Sequence, residues 1–155
     1  MTATAPSSAT PPLPPVRRQG VGKASPERAF EAWTAELGTW WPFHSHSVWG
    51  DGATAGFVDG QLVETGPDGA NHIWGTITTW EPGRRLTMTW HPGRDETAAT
   101  TVDVQFDPLD DTQTLVTLTH TGWENRPDAR DVRDNYRTGW VGVVGQYVDH
   151  VGGPT

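Results

Sequence analysis

The apolar residues follow a helical spacing near the two ends of the chain and a strand spacing in its middle. Val16 to Ala24 is an extended run, and Ser25 then stands as an N-cap ahead of Pro26, with Glu27 and Glu31 near the positive end of the following helix. That helix is predicted over Pro26–Leu37, carries Ala29, Phe30 and Trp33 on one side, and is closed by Gly38. From Thr54 to Thr121 the pattern is that of strands. Ala55–Asp59 and Gln61–Thr65 meet at Gly60 as a hairpin, Pro67-Asp68-Gly69 is a turn, and Asn71–Trp80 is a β-branched and aromatic run closed by Glu81-Pro82-Gly83. Arg85–His91 sets Leu86, Met88 and Trp90 against Thr87, Thr89 and His91. Thr100–Phe106 sets Val102, Val104 and Phe106 against Thr101, Asp103 and Gln105, and Asp107 to Asp111 reads as a turn. Thr114–His120 puts Val116, Leu118 and His120 on one face, so His120 is expected to point inward. Asp128 to Val151 returns to helical spacing through Val132, Tyr136, Trp140, Val143, Val144, Tyr147 and Val151, and Gly152-Gly153-Pro154 stops it.

An antiparallel sheet with one apolar face needs a cover, and only the final helix is long enough to supply it. The predicted fold is therefore α+β of the helix-grip kind. A curved antiparallel sheet of about six to seven strands wraps a long C-terminal helix, with short helices after the first strand, over residues 16–152. Residues 1–15, MTATAPSSATPPLPP, carry five prolines and no charge, cannot bury enough surface to offset chain entropy, and are expected to be a disordered tail.

Composition narrows what such a domain can do. The 155 residues suit one core, and nine Trp against two Tyr and four Phe concentrate the apolar surface in a few very large groups. Those groups either fill the core or line a cavity. The formal charge of −8, with no basic run, argues against nucleic acid and against anionic membrane surfaces. The absence of Cys removes disulfides, thiolate metal sites and Cys nucleophiles. No apolar run approaches the roughly 20 residues of a membrane helix, and the N-terminus lacks a signal-peptide pattern, so a cytoplasmic protein is expected.

The segment Trp40-Trp41-Pro42-Phe43-His44-Ser45-His46-Ser47-Val48-Trp49 suits a cavity rim as well as a loop packed on the sheet edge. His44 and His46 share a face if extended. His91, His120 and Asp51 are available as further ligands, but nothing fixes them nearby, so no metal is expected. His120, between Leu118 and Trp123, is the strongest polar candidate: buried and neutral, it could act as acid or base, although such a His is more often satisfied by a backbone carbonyl. Glu64 and Glu81 read as surface or hairpin residues. No paired carboxylates, phosphate loop, nucleophile elbow or dinucleotide fingerprint is present, and no cofactor is expected. Gly139, Gly142 and Gly145 form a thin stripe on the last helix that either packs closely on the sheet or makes room for a ligand. The residues expected to hold a ligand are Trp40, Trp41, His44 and Trp49 from the aromatic segment, and Trp74, Met88, Trp90, Leu118 and His120 from the strands. Trp123, Tyr136, Trp140 and Val144 complete the set.

Trp40-Trp41-Pro42, His72–Gly75, Trp80-Glu81-Pro82, Leu86–Trp90, Val102–Phe106, Val116–Gly122 and Gly139-Trp140 together resemble the START-like, Bet v 1-like (SRPBCC) superfamily. Within it they are similar to the branch named for the C-terminal domain of the Hsp90 ATPase activator, over residues 16 to 151. The same arrangement resembles the self-resistance proteins encoded with enediyne antibiotics of the calicheamicin type. That resemblance implies sequestration of a large polyketide in the cavity. In its sacrificial version a backbone glycine gives a Cα hydrogen to the drug diradical, and Gly93, after Trp90, is the position to which this carries over.

Three readings follow. The leading one is a non-catalytic protein that binds a bulky hydrophobic or aromatic small molecule of the polyketide or enediyne type, giving antibiotic self-resistance. The alternative is a polyketide cyclase or aromatase, in which the cavity orients a reactive chain and His120 supplies acid–base chemistry. The third is an interaction domain acting on a chaperone, against which stand the acidic charge and the lack of an additional partner-binding domain.

Overall fold

The computed structural model describes residues 13–43, 45–92, 94, 96–126 and 128–152. Seven antiparallel strands form one sheet: β1 (Val16–Gly22), β2 (Thr54–Val58), β3 (Gln61–Thr65), β4 (Asn71–Glu81), β5 (Arg85–Trp90), β6 (Thr100–Asp110) and β7 (Gln113–Thr121). Their spatial order is β1-β7-β6-β5-β4-β3-β2. All neighbours but one are sequential hairpins. The exception is β1, which pairs with β7, so the chain must cross from one edge of the sheet to the other before β2 begins. The helices α1 (Pro26–Thr34) and α2 (Leu37–Trp40) make that crossing, and α3 (Ala129–Gly152) closes the fold.

Ser25 caps α1 as its position predicts, its side chain accepting from the Arg28 N–H. The predicted Pro26–Leu37 helix ends earlier, at Thr34, and Gly38 lies inside α2 instead of closing α1. Gly38 is there for space. A Cβ on it would stand 2.8 Å from both Ala55 O and Thr54 Oγ1, so only glycine lets α2 lie this close to β2.

The β2–β3 hairpin turns at Asp59 and Gly60, both with positive φ, the twist that matches two antiparallel strands. The predicted Asp107–Asp111 turn is instead a continuation of β6 to Asp110. Beyond Phe106 this extension pairs with β7 alone, where Pro108 opposes Thr114. Proline, lacking an N–H, is tolerated where one side of the strand has no partner.

The inward side chains alternate as expected: Leu86, Met88, Trp90, Val102, Val104, Phe106, Val116, Leu118 and His120 are all buried. Seven of the nine Trp are buried too, Trp49 and Trp80 being the exceptions. A run of ring contacts leads from Trp33 through Trp40, Trp41 and Trp90 to Trp140. Most of the space between sheet and helix is therefore filled by indole.

The helix α3 lies mainly over β1. The close approach is made by Gly20 on the strand, where a Cβ would come within 2.7 Å of Val148 Cγ2 and 3.1 Å of Val144 Cγ1. The stripe on the helix is not one unit, and only Gly139 borders open space inside the fold. Gly142 and Gly145 are exposed and a Cβ on them would meet nothing within 4 Å, while Gly139 faces His46. Tyr147 ties α3 to α1 by donating to Ala29 O at 2.7 Å. Leu13 packs against the core, and Arg133 of α3 donates to the carbonyls of Pro14 and Pro15.

Candidate ligand-binding site

A cavity of about 510 Å³ opens between the N-terminal part of α3, the end of β5 and the segment 45–48. Trp41, Trp90, Tyr136 and Trp140 form its aromatic wall, with Val132 and Val143 beside them. The sheet contributes only Trp90, so the cavity sits at one end of the grip, not along the whole sheet–helix interface. Tyr136 and Trp140 are stacked, with centroids 5.9 Å apart and planes 23° from parallel, as one turn of helix places residues i and i+4. Trp90 Nε1 donates to the Tyr136 hydroxyl at 3.2 Å.

His120 stands in the sheet and reaches this wall through one bond. It is fully buried, with its ring between Trp123 and Tyr136. Trp140 Nε1 donates to His120 Nδ1 at 2.9 Å, so Nδ1 must be the unprotonated nitrogen. Nε2 then carries the hydrogen and donates to Thr100 Oγ1 at 2.5 Å, and Thr100 in turn donates to Trp90 O. The partners are side chains where the sequence pointed to a carbonyl. Burial, and then the nearby Arg126, hold the imidazole pKa down at about 3. Both nitrogens are engaged and the ring does not line the cavity, so the geometry gives His120 the role of fixing Trp140.

Glu64 is a correction to the sequence reading. It is fully buried, not on the surface, and its carboxylate accepts three N–H groups: Val48 at 2.8 Å, Trp49 at 3.0 Å and Trp74 Nε1 at 2.9 Å. A strand residue thus pins the segment that forms one wall of the cavity. Ser47 tightens the same segment, donating to Phe43 O and accepting from Gly50. Glu81 is exposed, as expected.

Of the predicted ligand set, Trp41, Trp90, Tyr136 and Trp140 come together on the cavity. Trp74, Met88, Leu118, His120 and Trp123 are buried in the core and do not line it. Trp40 packs between Trp33 and Tyr147 and donates to Ala32 O. Val144 lies against Gly20, and Trp49, 36% exposed, lies over Gly66. His44 and Gly93 lie outside the described residues. Among the described residues no three His, Asp or Glu are grouped to hold a metal.

The cavity also has a polar end that the sequence reading did not assign. Arg126, its side chain only 7% exposed, pairs with Asp128 through Nε at 3.1 Å and Nη2 at 3.2 Å. Arg94 reaches the same carboxylate at 3.2 Å. Arg126 holds the Asp128 carboxyl below its ordinary pKa. The available signal was local: an arginine in the short connection between the last strand and the final helix, two residues before an aspartate, in a chain with only 11 basic residues.

A seven-stranded antiparallel sheet with short helices after β1 and a long closing helix is the helix-grip arrangement of the START-like, Bet v 1-like proteins. The family model for Activator of Hsp90 ATPase homolog 1-like proteins matches residues 23–147, and the chain belongs to that family. No curated protein sequence matches it. Among solved structures it is similar to CalC, a self-sacrificing resistance protein from Micromonospora echinospora, with 19% identity, a TM-score of 0.66, and coverage of 89% of this chain and 94% of that one. It is also similar to Txn09, an anthrahydroquino-gamma-pyrone synthase, with 29% identity, a TM-score of 0.54, and coverage of 86% and 88%. The Aha1 dimer from Colwellia psychrerythraea shares 19% identity at a TM-score of 0.60, over 92% of this chain and all of that one.

Proposed function

We propose that the protein binds a bulky, polycyclic aromatic small molecule of the polyketide kind in the cavity between α3, β5 and the segment 45–48. The observation that carries this reading is the wall itself: three indoles and a phenol, held rigid by internal hydrogen bonds, around about 510 Å³. That volume lies within the few-hundred to thousand Å³ range of small-molecule sites. Each Trp is fixed before a ligand arrives, so little side-chain entropy is lost on binding. The similarity to a synthase named for an anthrahydroquinone-type product supports the same ligand class. Self-resistance is this binding put to protective use: a reactive polyketide enclosed here is kept from other targets.

The test is a titration of Trp fluorescence with hydroxylated anthraquinones and with an enediyne. Saturable quenching at one equivalent supports the reading, and no response across such compounds sinks it. Cleavage of the chain by activated enediyne, lost in Gly93→Ala, would establish the sacrificial version.

A second reading, catalysis of a polyketide cyclisation, is favoured by the same relative. His120 does not line this cavity; of the titratable groups that do, the Tyr136 hydroxyl is the one set in the aromatic wall, and it would be the acid–base group. Burial raises the Tyr136 pKa, so the phenol stays protonated and able to donate. Turnover of a poly-β-ketone chain that survives His120→Asn but falls in Tyr136→Phe supports this reading, and no turnover in the intact protein removes it.

A further inference from the structure

The three indoles that border the cavity all commit their N–H groups to the protein. Trp41 donates to His46 O at 2.8 Å, Trp90 to Tyr136 Oη at 3.2 Å and Trp140 to His120 Nδ1 at 2.9 Å. The indoles of the wall therefore offer a ligand ring faces and edges, not donors, and the Tyr136 hydroxyl is the one donor among the wall's aromatic groups.

The charged groups of the lining stand at one end. They are Arg94, Arg126 and Asp128. One carboxylate serves two guanidinium groups there, which leaves a net positive end to a cavity in a chain whose formal charge is −8. Arg126 is nearly buried, and its contacts with Asp128 use two of the five N–H donors a guanidinium carries. A largely desolvated guanidinium beside an aromatic wall suits an anionic oxygen, because low dielectric strengthens the attraction and the planar fork matches that acceptor.

We propose that the cavity selects, among bulky aromatic molecules, those carrying an ionised oxygen (a phenolate, enolate or carboxylate on the ring system), and that Arg126, assisted by Arg94, receives that oxygen. This rests on the cavity being the ligand site. The ring system lies along Tyr136 and Trp140, and the oxygen points to the end where Asp128 orients both arginines. Asp128 balances part of their charge, so its removal strengthens the preference for an anion.

The test compares anthraquinone-2-carboxylate with its methyl ester, two probes of closely similar shape that differ in charge, titrated against the full chain by Trp fluorescence and calorimetry at neutral pH. The acid is expected to bind about tenfold more tightly or better. The preference should vanish in Arg126→Met, shrink in Arg94→Gln, and grow in Asp128→Asn. Arg94 is half exposed, so its replacement leaves the fold intact even where Arg126→Met does not. Equal affinity for acid and ester, or a preference that survives both arginine replacements, overturns this inference while leaving the aromatic cavity as the binding site. Failure of both probes to bind overturns the inference together with the reading beneath it.

Discussion

Trp140 donates its indole hydrogen to His120 Nδ1 at 2.9 Å, and this bond fixes a cavity-wall residue of α3 to the middle of the sheet. Replacing His120 by Phe keeps a ring in the core but removes both the acceptor for Trp140 and the partner of Thr100. Leaving the buried Trp140 N–H without an acceptor, with Thr100 keeping only its bond to Trp90 O, costs about 1–3 kcal/mol. Urea unfolding of His120→Phe should register that loss, and ligand affinity should fall with it because Trp140 is no longer held. Full stability with loss of turnover alone would instead mark His120 as a chemical group.

Stability should decline in acid in two overlapping windows. His120 is held neutral, with a folded pKa of about 3 against an ordinary 6.5, so the unfolded chain takes up a proton that the native state refuses. Stability is therefore complete above pH 6.5 and is lost as pH falls from there toward 3, at no more than about 1.4 kcal/mol per pH unit. The Glu36 carboxyl is held down at about 2, first by its hydrogen bond from Arg28 and then by His150, so its contribution is present above 4.5 and lost only below it. In His120→Asn the decline between pH 6.5 and 4.5 should flatten while the lower one remains. An unchanged curve would mean that His120 titrates normally in the folded protein.

Glu64→Ala should loosen the segment that walls the cavity. The change strips acceptors from the N–H groups of Val48, Trp49 and Trp74, a loss of about 2–4 kcal/mol. Amide exchange at Val48 and Trp49 should rise well beyond the global destabilisation, and ligand should dissociate faster. Protection of these two amides equal to that of the intact protein would argue against the clamp.

The glycines divide into those that need to be glycine and those that do not. In Gly75→Ala the new Cβ would lie 1.7 Å from Thr89 O, where β4 crosses β5, so this variant should lose about 3 kcal/mol or more, or fail to fold. Gly142→Ala and Gly145→Ala meet nothing and sit within α3, so each should raise stability by up to about 1 kcal/mol. Thermal unfolding of the three variants checks both halves, and destabilisation by Gly142→Ala would contradict the placement of α3.

The fold was legible because its signals are local and repeated. The strand alternation from Leu86 to His120, the Ser25 cap and the Gly60 hairpin each record one rule in adjacent residues. What failed to read depends on residues far apart in the chain. Glu64 looks like a surface carboxylate until Val48, Trp49 and Trp74 are brought around it, and Gly38 looks like a helix end until β2 lies beside it. The site was legible in part. Trp41, Trp90, Tyr136 and Trp140 stand out by aromatic density, strand alternation and helical spacing, whereas spacing does not say that Trp74 and Trp123 fill the core while those four border a cavity. The polar end is not legible in the sequence because Arg94, Arg126 and Asp128 come from two connections about thirty residues apart and meet only through one carboxylate.

The central claim is that a polycyclic aromatic molecule occupies the cavity beside Trp41, Trp90 and Trp140. The most direct measurement is the set of nine indole N–H resonances in a nitrogen-15 spectrum, followed as anthraquinone-2-carboxylate is added. The account predicts saturable shifts of the Trp41, Trp90 and Trp140 signals at one equivalent, with Trp49 and Trp80 unmoved. It also predicts loss of those shifts in Gly139→Leu, whose side chain enters the cavity toward His46. Saturable binding that moves Trp49 or Trp80 and leaves the other three in place, or shifts that persist unchanged in Gly139→Leu, would contradict it.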